Sequence, residues 1–186
     1  MVHNGGLEIS AEARVKLEHA ITTAIKFETR VHATYAEAAA TAENAVARRV
    51  FSTLCEEEKG HIRYLRERLE EWRANGKINI YDIGGELGSR SAVEAGAARL
   101  RTTLAGGSPG GTGVELESLR KALQAERETS DFYKKMVATL DADGKRLFER
   151  FVEIEEGHLA IVQAEMDLVT GSGFWFDTGE FRPEAG

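Results

Sequence analysis

Residues 50–72 read VFSTLCEEEKGHIRYLRERLEEW. Steps of three and four along them give Val50, Leu54, Glu58, His61, Leu65, Leu69 and Trp72. That is the period of one helix face, apolar except for a Glu-x-x-His pair near its middle. Residues three apart on a helix lie one above the other, so Glu58 and His61 point the same way. The stretch reads as a helix whose inward face carries two side chains of metal-ligand type.

Working outward, this helix runs from about Glu43 to about Ala74 and stops at Asn75-Gly76, a C-terminal signal. Upstream, a helix from about Ala11 to about Ala40 follows Ser10, a suitable N-cap. Its inward stripe is Leu17, Ile21, Ala24, Glu28, Val31, Tyr35 and Ala38. A third helix spans about Val114 to Leu140, with the stripe Leu119, Leu123, Glu126, Tyr133, Met136 or Val137, and Leu140. The fourth covers 142–170, with Leu147, Phe151, Glu155, His158, Val162 and Met166 or Val169 facing inward.

Glycine divides the chain. From Ser10 to Asn75 the only glycine is Gly60 and there is no proline, whereas ten of the 19 glycines lie between Gly76 and Gly113. Residues 76–113 therefore read as a long crossover between helices two and three, with Ser91 and Glu94 placed to open a short helix reaching about Leu104. Two hairpins joined by one long crossover make an all-α four-helix bundle of ferritin-like wiring. At 186 residues a single domain over 1–186 is expected. The tail, 171–186, carries Phe174, Trp175, Phe176 and Phe181, which would cap the bundle end or dock on a second subunit.

Acids outnumber bases 31 to 24, so 24 − 31 gives a net charge of −7, and the pI is near 5.4. That balance argues against nucleic acid or an anionic membrane as partner. No run approaches the roughly 20 apolar residues that span a bilayer. Residues 1–10 lack the apolar core of a secretory signal, and Cys55 is the only cysteine. The expected location is the cytoplasm.

Each inward stripe holds a carboxylate near its middle: Glu28, Glu58, Glu126 and Glu155. Helices two and four add His61 and His158, each three residues after its glutamate. Burying one unpaired carboxylate costs several kcal/mol or forces protonation. Two divalent metals would supply +4 against the four carboxylates, with the imidazoles ligating as neutral groups. The bound chain would then carry about −7 + 4, or roughly −3. A lone Glu-x-x-His is weak evidence; the stronger signal is an internal repeat. Glu28 and Glu126 are 98 residues apart, as are Tyr35 and Tyr133, while Glu58–Glu155 and His61–His158 are each 97 apart.

Neighbouring residues sort by the same repeat. Glu57 faces His61 at i, i+4, but its counterpart is Ile154, which makes Glu58 the better ligand. Glu56 corresponds to Glu153, and Glu156 lies about 100° round the helix from Glu155; both are expected in solvent. His32 stands four residues after Glu28, but the matching residue after Glu126 is Ser130, so the repeat does not support it as a ligand. Tyr35 and Tyr133, two turns from Glu28 and Glu126, either bond a ligand carboxylate or simply fill the core.

From about residue 11 to 170 the chain resembles the rubrerythrin-like branch of the ferritin-like di-iron carboxylate proteins. Their pattern, one Glu from each of two helices and a Glu-x-x-His from each of the others, falls on Glu28, Glu58, His61, Glu126, Glu155 and His158. The resemblance implies two Fe ions per chain, peroxide or O₂ as substrate, and a homodimer. Two departures stand out. The four cysteines of the rubredoxin domain are missing, so electrons must come from an external donor. Thr129 also stands where rubrerythrins carry a further glutamate, so their redox-linked ligand switch is not implied here.

Carboxylates with one imidazole per metal suit iron, manganese or a mixed pair better than zinc. The expected function is oxidation of Fe(II) by hydrogen peroxide or O₂ at a dinuclear site, as a peroxidase or ferroxidase. Iron storage without turnover, an oxygenase with an organic substrate and a metal-free structural bundle are the alternatives. Iron per chain, oligomer size and metal content separate them.

Overall fold

The computed structural model describes residues 10–79 and 113–170. Four helices account for nearly all of them: α1 (Ala11–Thr41), α2 (Ala45–Asn75), α3 (Gly113–Thr139) and α4 (Ala142–Thr170). Each end lies within two residues of its expected position, and the described residues contain no strand. Residues 80–112, where most of the crossover and the short helix at 91–104 are expected, and the tail at 171–186 lie outside the described residues.

Local chemistry sets the helix ends. The Ser10 hydroxyl accepts the Ala13 N–H at 3.1 Å and so opens α1. The turn into α2 is closed by Arg48, whose guanidinium donates to the Ala42 carbonyl at 2.8 and 3.2 Å. Glu115, in the first turn of α3, accepts the Asn44 N–H at 2.8 Å and ties that helix to the same turn. Gly76 ends α2 with φ +62°, and its N–H reaches the Trp72 carbonyl at 2.8 Å. The left-handed conformation selects glycine there, and an added Cβ would also sit 3.0 Å from the Arg14 guanidinium.

α1 packs on α2 and α3 on α4, and the hairpins meet through α1 and α3. The inward stripes are buried as their spacing requires; only Met136, Val137, Leu140, Met166 and Val169 remain partly exposed. The core has two apolar lobes. One gathers Tyr35, Val50, Phe51, Leu54, Leu119 and Val162, toward the α1–α2 turn. The other gathers Leu17, Ile21, Tyr64, Leu65, Trp72, Phe148 and Phe151, toward the α3–α4 turn. Each large side chain contributes about 1.5–3 kcal/mol by leaving water. The stripe positions between the lobes belong to the carboxylates and histidines, so a polar layer sits between two dry ones.

Candidate metal centre

Six residues meet in that layer. Glu28, Glu58, Glu126, Glu155 and His158 have essentially no exposed surface, and His61 is 3% exposed. Each helix supplies at least one, because each stripe carries its carboxylate at the same height. Their atoms form two groups, Glu28–Glu58–His61–Glu155 and Glu58–Glu126–His158, with all atoms of a group within 4.8 Å of one another. Glu58 belongs to both. The two imidazoles stack, with ring centroids 5.4 Å apart and planes 16° from parallel.

His61 Nδ1 lies 3.1 Å from Glu28 Oε2 and 3.2 Å from Glu58 Oε2. His158 Nδ1 lies 2.9 Å from Glu58 Oε1 and 3.6 Å from Glu126 Oε1, in neither case with hydrogen-bond geometry. Both histidines therefore turn the same ring atom toward the carboxylates. Several buried atoms have no hydrogen-bond partner: both Glu155 oxygens, Glu58 Oε1, Glu126 Oε2 and His158 Nδ1. Orphaned acceptors in such numbers are costly unless something else satisfies them. The donor set, four carboxylates and two imidazoles, fits a pair of divalent cations.

Without cations, protons balance the charge. Burial and the Glu58 carboxylate push Glu28 up to about 8. Burial and the negative charge of Glu126 raise Glu155 well above the usual carboxylate range. Burial would raise Glu58 as well, but the positive charge of His61 and the neighbouring Glu28 and His158 side chains hold it well below that range. Burial opposes the charge on His61, yet Glu58 and the bond to Glu28 outweigh it and push it up to about 10. His158 is raised in the same way, against burial, by Glu126, Glu57 and Glu58.

The tyrosines do more than fill space. Tyr35 on α1 donates to Glu126 Oε1 on α3, and Tyr133 on α3 donates to Glu28 Oε1 on α1. The two bonds cross the α1/α3 interface in opposite directions. Burial and the facing carboxylate raise both phenols well above the usual tyrosine value, so both keep their protons as donors.

Other candidates fall elsewhere. His32 belongs to neither group; its carbonyl accepts the Cys55 thiol at 3.8 Å. Glu56 pairs with Lys59 and Glu156 with Lys134 on the outer surface. Glu57 is the residue whose part the spacing did not reveal. Instead of turning to His61 on its own helix, it reaches His158 Nε2 on α4 at 3.0 Å. Buried Thr129 bonds back to the Ala125 carbonyl at 2.9 Å. Glu165, 2% exposed, and Glu115, 3% exposed, are buried away from the centre toward the α1–α2 end. Both were missed because one chain's helical period does not show what covers helix ends.

The Rubrerythrin family model matches residues 8–69, the segment holding Glu28, Glu58 and His61. Over these residues the chain is similar to rubrerythrins. No curated protein and no solved structure matches it. The match takes in α1 and most of α2. The second half enters the same centre through its own Glu126, Glu155 and His158.

Proposed function

We propose that the bundle holds two iron ions between Glu28, Glu58, His61, Glu126, Glu155 and His158 and uses them to reduce hydrogen peroxide or O₂. The observation that carries this reading is Glu58, shared by two groups of buried ligand atoms. A carboxylate common to two groups is what a dinuclear centre needs and what a lone metal site does not. Bound iron would supply one electron from each ion, matching the two electrons needed to cleave an O–O bond.

The chain's own residues do the rest. Glu28 and Glu126 are held in place by Tyr133 and Tyr35. The apolar lobes around Phe51 and Phe151 keep bulk water from the carboxylates. Thr129 leaves α3 with a single ligand carboxylate, Glu126, at this level. The single cysteine of these residues, Cys55, is buried and cannot form a four-cysteine iron site, so reducing equivalents would reach the bundle from outside it.

Anaerobic addition of Fe(II), followed by stopped-flow mixing with peroxide or O₂, tests the reading. New near-ultraviolet absorbance with loss of oxidant is expected at two irons per chain. Unchanged absorbance and oxidant would sink it, and iron uptake far above two per chain would favour storage.

A further inference from the structure

The internal repeat places the ligands symmetrically, but the environment of the two histidines is unequal. His158 Nε2 meets the Glu57 carboxylate at 3.0 Å, while its Nδ1 faces Glu58 and Glu126. The position that corresponds to Glu57 in the second half is 57 + 97, or Ile154, a buried apolar residue. From that position no carboxylate can serve His61. Glu57 itself is only partly buried, its side chain 40% exposed, so its charge is hydrated while its oxygen still reaches the buried ring.

Resting on the metal-centre reading above, we infer that Glu57 is a positioning residue for one half of the centre only. It holds His158 with a proton on Nε2, leaves Nδ1 free as the ligand atom toward Glu58 and Glu126, and makes the two ion positions unequal. A carboxylate behind a ligating imidazole fixes the ring's tautomer and orientation and raises its basicity. Loss of such a partner weakens metal binding by about 10–100-fold. Here that loss falls on the Glu58–Glu126–His158 position and spares the position built around His61.

Anaerobic titration of the full chain with Co(II) alone, in competition with a chromophoric chelator, resolves the two binding steps. Glu57→Ala is expected to weaken one step by about 10–100-fold and leave the other at its wild-type value. Glu57→Gln should lose less, because its amide oxygen still accepts the Nε2 proton without carrying charge. Glu56→Gln removes the same charge one residue away, where the carboxylate pairs with exposed Lys59, and should change neither step. In the Zn(II)-loaded protein, ¹⁵N-edited spectra should show a protonated Nε2 on His158 that is perturbed in Glu57→Ala while the His61 signals stay. Wild-type values for both steps in Glu57→Ala, or equal weakening of both, would overturn the inference. Failure of the wild-type chain to take up Co(II) would instead remove the metal-centre reading, and this inference with it.

Discussion

Tyr133 donates its hydroxyl to Glu28 from 105 residues away, across the interface between α3 and α1. The bond satisfies one oxygen of a buried carboxyl and fixes the orientation of the other toward His61. Tyr133→Phe keeps the ring, which packs 5.0 Å from Phe151, and deletes only the donor. A buried acceptor left unsatisfied costs about 1–3 kcal/mol. Denaturant unfolding of the metal-free variant should show a loss in that range, with a matching loss for Tyr35→Phe at Glu126. A wild-type midpoint for both would mean that the phenols only fill space.

Glu58 joins the two ligand groups, and the groups share no other residue. Glu58→Ala is therefore expected to abolish binding of both ions, whereas Glu126→Ala should leave one. Metal analysis after dialysis against a weak chelator reads this directly. Equal metal content in the two variants would rule out a shared carboxylate.

Metal binding should release protons, because protons hold the empty centre together. Near neutral pH, Glu28 and His61 each hold an ionisable proton in the metal-free chain, and Glu155 and His158 are shifted in the same direction. The carboxyls must ionise and the imidazoles become neutral before they ligate, so about two or more protons should appear per pair of ions. An indicator dye in lightly buffered solution measures them during Zn(II) addition. Release of about one proton or fewer would contradict the charge state described for the empty centre.

The helix faces were legible because helical period and chain chemistry coincide. Glu58, His61 and their apolar neighbours recur at three- and four-residue steps, and the repeat located Glu126, Glu155 and His158 as their partners. Partnerships between helices were not legible. That Tyr35 bonds Glu126 and not Glu28, and that Glu57 serves His158 and not His61, depends on the relative rotation and height of two helices. Periodicity within one helix carries neither quantity.

Stability of the metal-free protein should fall as pH rises from about 6 to about 9. The folded pKa of His61 is about 10, against an ordinary 6.5, so its contribution is complete below 6.5 and is lost as pH climbs through 10. Glu28, raised from 4.5 to about 8, loses its contribution in the same direction over that lower window. Both groups make the folded chain bind more protons than the unfolded one, which gives the slope a negative sign. Glu58, lowered instead, matters only as pH falls below its ordinary 4.5. Urea midpoints measured with a chelator present should therefore decline across this range. A rise would show that protons do not stabilise the empty centre.

Thr129 offers the converse experiment. It lies three residues beyond Glu126 on α3, fully buried, with its hydroxyl turned back to the Ala125 carbonyl. Thr129→Glu would place a fifth carboxyl in a layer where, among the described residues and without metal, the imidazoles of His61 and His158 are the groups that can carry positive charge. An uncompensated buried charge costs about 3–5 kcal/mol, so the metal-free variant should be markedly destabilised or should bury the new side chain protonated. Divalent cations would satisfy the added oxygens, and the stabilisation on adding Mn(II) should therefore exceed that of the wild type. Thermal melts of both proteins with and without Mn(II) test the coupling. A variant destabilised equally in both conditions would place residue 129 outside the reach of the centre.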